Sequence, residues 1–285
     1  MINRNSLIYL AGHTGLVGSS VLRVLKNRGF KKIILKKRKE LNLTNQSKVL
    51  SFLKKTKPAA IIICAAKVGG ISANNKYKSE FIYENLSIQN NLIKGAHVSG
   101  VNNLIFLGSS CIYPKHSKQP IKEKYLLSGE LEPTNQYYAL AKIAGVKLCE
   151  SYNLQYGRNY RSLMPSNLFG PNDNYNLENS HFLPAVIKKI YLAKLNKKPL
   201  LFWGTGSAKR ELTYVDDLAE ACIFILDKWH NKKEKFILDQ KGDPIYWLNV
   251  GSPFELSIKE LSSKIAKAIG YKGEILWDPT MPDGT

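Results

Sequence analysis

The chain has 285 residues, 44% of them apolar, which is enough to bury the core of one large α/β unit or two lobes. Its net charge of +20 raises nucleic-acid binding as a function, but the lysines are spread along the whole chain. Only Lys36, Lys37, Arg38 and Lys39 form a tight cluster and no basic stripe alternates with aromatics, so small polyanions are the expected partners and nucleic acid is not.

The polar start Met1–Ser6 and the short apolar run Leu7–Ala11 make neither a leader nor a membrane span, so no membrane partner and a cytoplasmic location are expected. Cys64, Cys111, Cys149 and Cys222 are widely spaced with no CxxC pair, which predicts reduced thiols and no metal site. The sequons at Asn42 and Asn85 then carry no glycan.

Leu7–Ala11 predicts the first strand, and the segment AGHTGLVG follows it directly and opens a helix predicted over Val17–Asn27. Gly12, Gly15 and Gly18 let backbone approach a pyrophosphate seated on the helix N-terminus, where free N–H groups and the helix dipole favour anions. By itself this spacing is also compatible with a plain strand-to-helix turn. Lys32–Leu35 predicts the second strand. Beyond it stand Lys36 and Arg38, about 20 residues past the glycines, where a carboxylate would select NAD; cations there favour the 2′-phosphate of NADP.

A helix over Gln46–Lys54, a strand over Ala59–Ala65, a helix over Glu80–His97 and a strand over Asn103–Gly108 continue the alternation. At the end of that fourth strand Gly108, Ser109 and Ser110 put hydroxyls where ligands bind in open α/β sheets, though either serine alone could cap a turn. In the helix predicted over Tyr138–Tyr156, Tyr138 and Lys142 are four residues apart and share a face. A tyrosine of ordinary pKa about 10 is a poor acid at neutral pH; a neighbouring ammonium and a positive nicotinamide ring would stabilise its phenolate. Tyr137 is out of register, because Ala141 lies four residues on.

Tyr160–Met164 predicts a fifth strand, after which the composition shifts to Asn, Pro, Gly and Tyr, and a smaller lobe is expected from Gly170. Val215–Leu226 reads as a helix returning to the first lobe, with Asp216 or Asp217 near its N-cap. The expected fold is α/β, a Rossmann-type doubly wound parallel sheet over residues 1–169 with 212–250 returning to it. The smaller C-terminal substrate lobe is expected from 170–211 and 251–285.

The stretches AGHTGLVGS, AAKVGGISANN, LGSSCIYP, EPTNQYYALAKIAGVKLCESYNLQYGRNYRS, MPSNLFGPNDNY, ENSHFLPA and WGTGSAKRELTYVDDLAEA extend across nearly the whole chain. In these the chain resembles the GDP-L-fucose synthase family, the GDP-4-keto-6-deoxy-D-mannose epimerase-reductases of the extended short-chain dehydrogenase/reductase superfamily. The resemblance implies epimerisation at carbons 3 and 5 and then reduction of carbon 4 with NADPH. Both carbons flank the carbon-4 ketone, so removing either proton gives an enolate, which calls for a base, an acid and an oxyanion stabiliser. By resemblance the base is Cys111 and the acid His181; a thiol of pKa about 8.5 and an imidazole of about 6.5 bracket neutrality. Ser109 and Tyr138 would hold the enolate oxygen, Tyr138 would later protonate the carbon-4 oxygen, and Lys142 would orient the cofactor ribose.

The implied NADP(H) contacts are Gly12, His13, Thr14, Gly15, Leu16, Val17 and Gly18 in the first turn, and Lys36 and Arg38 after the second strand. Leu107, Gly108, Ser109 and Ser110, then Lys142, then Pro165, Ser166, Asn167, Leu168 and His181 complete them. The GDP-sugar is expected at Lys189, Trp203, Arg210 and Asp283, cations for the diphosphate and an aromatic for stacking. Thr14 stands where the family often has a phosphate-holding arginine, and Lys189 replaces a usual arginine, a point charge for a bidentate fork. The family continues beyond the MPDGT at which this sequence stops, so a shortened substrate lobe is expected. A homodimer through helices flanking the sheet, Glu80–His97 among them, is also implied. Two alternatives stay open: a related sugar-nucleotide epimerase, dehydratase or GDP-deoxyhexose reductase, and an inactive NADP-binding homologue.

Overall fold

Four of the first five strands are short runs buried largely or wholly on both faces, as a parallel sheet covered by helices requires, and the second, at the sheet edge, is half-buried. In the computed structural model, which describes residues 2–177, 180–228, 238 and 242–280, they are β1 (Ile8–Ala11), β2 (Ile33–Leu35), β3 (Ala60–Ile63), β4 (Asn103–Leu107) and β5 (Asn159–Pro165). Between them run α1 (Leu16–Asn27), α2 (Gln46–Thr56), the short α3 (Ile71–Lys76), α4 (Lys78–Val98) and α5 (Gln136–Tyr156). With β9 (Trp247–Val250) they form one sheet in the order β2-β1-β3-β4-β5-β9, parallel at every pairing. This is the expected Rossmann-type doubly wound fold. Because β1 lies between β2 and β3, the order of strand addition reverses there, opening a crevice at the carboxyl ends of β1 and β3.

Alternation along β1 separates the two halves of the core. Tyr9 and Ala11 face the cluster that includes Leu53 of α2, Leu92 of α4 and Val146 of α5. Ile8 and Leu10 face Val21 and Leu25 of α1 and Leu218 and Cys222 of α7 (Val215–Lys228). The returning helix therefore covers the same face as α1. Asp216 and Asp217 lie in its first turn, but the carboxylate of Asp216 is taken by Ser20 and Arg23 of α1. Ser20 is fully buried at that crossing and also donates to the Val215 carbonyl at 3.2 Å. Cys149, for which the sequence offered no chemical neighbour, is buried in the first cluster, and that burial pushes its pKa up.

The region read as irregular from its composition contains short strands. β6 (Asn167–Phe169), β8 (Lys209–Tyr214) and β10 (Glu255–Ser257) form one small sheet, and β7 (Leu200–Trp203) pairs in parallel with β11 (Ile275–Asp278). α6 (Phe182–Asn196) and α8 (Ile258–Ile269) pack on β7 around Val186, Ile190, Phe202, Ala266 and Tyr271. α8 starts at a full capping box, Ser257 with Glu260.

Candidate active site

The glycine turn after β1 is set by close backbone approach. Gly12 has φ +86°, and a Cβ there would stand 2.6 Å from the Ala65 amide nitrogen at the end of β3. A Cβ on Gly18 would stand 2.0 Å from the Gly12 carbonyl oxygen, so α1 is pressed against its own entry turn. Gly15 is the opposite case: it is exposed, a Cβ would meet nothing closer than 3.9 Å, and it begins α1 without a side-chain cap. The first N–H groups of α1 thus face a cradle with room for a ligand, and His13 Nδ1 is buried there without a partner among the described residues. These features fit a dinucleotide pyrophosphate. Gly18→Ala is expected to destabilise the chain by about 1–3 kcal/mol through overpacking against backbone, read by urea unfolding.

At the end of β4, Ser109 Oγ accepts from the Cys111 N–H at 3.5 Å, and Cys111 sits on the 3₁₀ turn Ser110–Ile112. Opposite, α5 carries Tyr138 and Lys142 one turn apart. The Lys142 ammonium is buried, donates to the Leu107 carbonyl at 2.7 Å, and lies 5.6 Å from the Tyr138 ring centroid and 4.9 Å from that of Phe106. Buried Gln89 of α4 fixes the helix by donating to the Ala141 carbonyl at 2.6 Å. Ser109, Cys111, Tyr138 and Lys142 are thereby brought together.

Burial dominates the electrostatics of this group. It pushes the Cys111 thiol up to about 11 against the Ser109 hydrogen bond and the Lys142 charge. It lowers Lys142 to about 8 against the charges of Cys111 and Cys64. Tyr138 is raised, first by burial and then by Cys111. In the chain alone this reverses the lowered phenol expected beside Lys142: desolvation outweighs the ammonium, and the other expected positive charge belongs to the cofactor.

The remaining predicted residues lie on other elements. His181 is the N-cap of α6; burial lowers its pKa and the carboxylate of Asp173 opposes this. Pro165 closes β5, Ser166 Oγ lies 2.7 Å from Thr213 Oγ1, Asn167 Nδ2 donates to the Glu211 carbonyl at 3.2 Å, and Leu168 packs beneath on the α1–α7 side of the core. Thr14 is exposed in the glycine turn. Lys36 pairs with Glu40 at 3.4 Å and Arg38 with Glu84 of α4 at 3.5 Å. In the smaller lobe Lys189 Nζ stands 5.8 Å from the Phe202 ring centroid, Trp203 is 67% exposed at the end of β7, and Arg210 is half-buried on β8. Asp283 lies outside the described residues.

Sequence reasoning missed two supports. Tyr113, in the same SSCIYP run as Cys111, donates to Asn249 Oδ1 at 2.6 Å, and the Asn249 N–H donates to Glu123 at 2.9 Å, tying the Cys111 turn to the end of β9. Lys67, in AAKVGG, donates to Glu84 at 2.6 Å, while Asn85 accepts from its N–H at 2.9 Å and donates to its carbonyl at 3.0 Å. Both runs carry the family resemblance, but nothing in one dimension points to these partners.

A doubly wound sheet, a glycine turn on an open helix N-terminus and a Ser–Tyr–Lys group beside a half-buried thiol define a dinucleotide-dependent oxidoreductase or epimerase site. Residues 8–238 match the model of the NAD dependent epimerase/dehydratase family. The chain is 48% identical over 286 residues to a putative GDP-L-fucose synthase 2 of Arabidopsis thaliana, covering 100% of this chain and 83% of that one. It is 47% identical over 279 residues to the GDP-L-fucose synthase of Escherichia coli K12, covering 98% and 86%. A solved GDP-D-glycero-L-gluco-heptose synthase from Campylobacter jejuni, crystallised in the presence of NADPH, superposes with a TM-score of 0.92 at 36% identity over 99% of this chain and 90% of that one. The chain belongs to the NAD dependent epimerase/dehydratase family and, within it, to the GDP-L-fucose synthase family.

Proposed function

We propose that this chain converts GDP-4-keto-6-deoxy-D-mannose to GDP-L-fucose, epimerising carbons 3 and 5 and reducing carbon 4 with NADPH. The observation that carries the reading is the half-buried Cys111 thiol beside Ser109 and facing the Tyr138–Lys142 pair, because a simple ketone reductase needs no such base. The relatives named for the same reaction, at 47–48% identity, support it.

NADPH, when bound, would supply the hydride; the open N-terminus of α1 would hold its pyrophosphate, and Arg38 and Lys36 its 2′-phosphate. Ser109 Oγ and Tyr138 Oη donate hydrogen bonds to the carbon-4 oxygen and stabilise the enolate formed as Cys111 removes a proton from carbon 3 or 5. His181 returns a proton from the opposite face, inverting each centre. Tyr138 then protonates the carbon-4 oxygen as the ketone is reduced. The buried Lys142 charge supports both the thiolate and the phenolate, which is why a cation at this depth is retained despite its desolvation cost.

Residues 1–169 and 212–250 form the cofactor domain in this reading, and 170–211 with 251–285 form the substrate lobe, where Lys189, Arg210 and Asp283 would meet the diphosphate and ribose and Trp203 the guanosine. A cytoplasmic homodimer belongs to the same reading, supported by Tyr83 of α4 and Leu140 and Leu154 of α5, which are large, apolar and exposed on adjacent helices. Among the described residues no helix is long and apolar enough to cross a membrane.

The test is NADPH oxidation at 340 nm with GDP-4-keto-6-deoxy-D-mannose and identification of the sugar. GDP-L-fucose is the expected product. NADPH consumption yielding an unepimerised 6-deoxyhexose would reduce the reading to a carbon-4 reductase, and no consumption would remove it.

A further inference from the structure

The carboxyl ends of β2 and β3 flank the glycine turn, since β1 runs between those strands. The loop after β2 presents Arg38, 77% exposed at its side chain, and the loop after β3 presents Lys67. One carboxylate joins them: Glu84 of α4, whose side chain is only 20% exposed, lies 2.6 Å from Lys67 Nζ and 3.5 Å from Arg38 Nη2. Two cations converge on the border of the cofactor crevice, and their shared counter-anion comes from a third element behind them.

We propose that Glu84 is the internal counter-anion of the cofactor's 2′-phosphate subsite, moderating the field that Arg38 and Lys67 present to that phosphate and so setting how strongly NADP is preferred to NAD. This rests on the cofactor reading above. A carboxylate this close to both cations reduces the net charge of the trio from two positive to one. A 2′-phosphate at Arg38 therefore meets a partly neutralised site and is itself repelled by Glu84.

Glu84 could instead act by holding the cations in place, and for Lys67 the neighbouring residue decides against that. Asn85 is 2% exposed and clamps the Lys67 backbone at both its N–H and its carbonyl, so the β3 loop stays fixed without the Glu84 charge. Glu84→Gln also keeps an acceptor for Lys67. The substitution thus removes charge while leaving the loop anchored, and binding of the phosphorylated nucleotide should strengthen.

The experiment is calorimetric titration of NADP⁺ and NAD⁺ into the full chain and its Glu84→Gln variant, at low and high salt. The expected result is NADP⁺ binding tighter by about three- to tenfold in the variant at low salt, a gain that shrinks at high salt, with NAD⁺ binding unchanged. The unchanged NAD⁺ affinity also reports an intact fold. NADP⁺ affinity that is unchanged or weaker, or an equal shift for both nucleotides, overturns the proposal. So does a gain that persists in full in an Arg38→Ala background, because Glu84 would then not act through that cation. If the parent binds neither nucleotide, the cofactor reading falls and takes this proposal with it; if the parent binds NADP⁺ and the variant gains nothing, this proposal falls alone.

Discussion

Cys111→Ser is expected to leave NADP⁺ binding intact and to slow exchange of deuterium from D₂O into carbons 3 and 5 of the GDP-4-keto sugar by about 10²–10⁴-fold, the usual range for removing a general base. The size follows from the site. Burial holds the thiol at about 11, so its thiolate is scarce at neutral pH but strongly basic once formed. Ser109 and Lys142 are the groups that favour the thiolate, the first by a hydrogen bond and the second by its charge. A serine hydroxyl in the same place is a far weaker acid, and the one buried cation beside it cannot make up the difference. Mass spectrometry of the sugar, run with NADP⁺ so that no reduction intervenes, reads exchange alone. Exchange at the parental rate would show that Cys111 is not the base and would move that role to another group reaching the same carbons. Loss of exchange with NADP⁺ affinity retained would separate the chemical role of the thiol from the packing of its turn.

The parts of this molecule that were legible beforehand are those whose physics is local. β1, β3 and β4 are largely apolar runs covered on both faces, so their burial is written in consecutive residues, whereas β5 buries Asn159, Arg161 and Ser162 among its apolar positions. The register of Tyr138 and Lys142 follows from helical periodicity, and the position of Ser109 and Cys111 from the end of a strand. β7 was not legible because its alternation of buried and exposed residues covers only four positions, and β6 and β10 span three each. Glu84 was illegible for a different reason. A glutamate on a helix reads as a solvated face, and only the order β2-β1-β3 brings Arg38 and Lys67 to the same carboxylate. The raised Tyr138 pKa of the cofactor-free chain was not legible, because charge neighbours are visible in a helix repeat and desolvation is not.

The stability of the cofactor-free chain is expected to rise from pH 8 towards pH 10.5 by about 3 kcal/mol on account of Lys142 alone, and Lys142→Met should abolish that rise. The sign is fixed by proton counting. Lys142 is lowered from 10.5 to about 8 by burial, so across that interval the unfolded chain holds a proton that the folded chain has released. Raising the pH therefore favours the folded state, and below pH 8 the full cost of a buried ammonium is present. Thiols and phenols act oppositely: Cys64, Cys111, Cys149 and Cys222 are all raised, as are Tyr9, Tyr113, Tyr138 and Tyr160, so stability is lost as unfolded thiols ionise near about pH 8.5 and unfolded phenols near about pH 10. Subtracting the urea-unfolding free energies of Lys142→Met from those of the parent at each pH cancels the phenols and the thiols of Cys149 and Cys222, and leaves the lysine with the two thiols coupled to it, Cys111 and Cys64. The absolute stability of the variant is the weaker measure, because it strands the Leu107 carbonyl that Lys142 now satisfies at 2.7 Å, a loss of about 1–3 kcal/mol that offsets the relief of the buried charge. A flat difference curve would mean that Lys142 stays protonated throughout, which at this depth requires a compensating anion. The thiol of Cys111 is the neighbour whose charge most favours the ammonium, so that outcome would place a thiolate–ammonium pair in the resting site and an active base there before any cofactor binds.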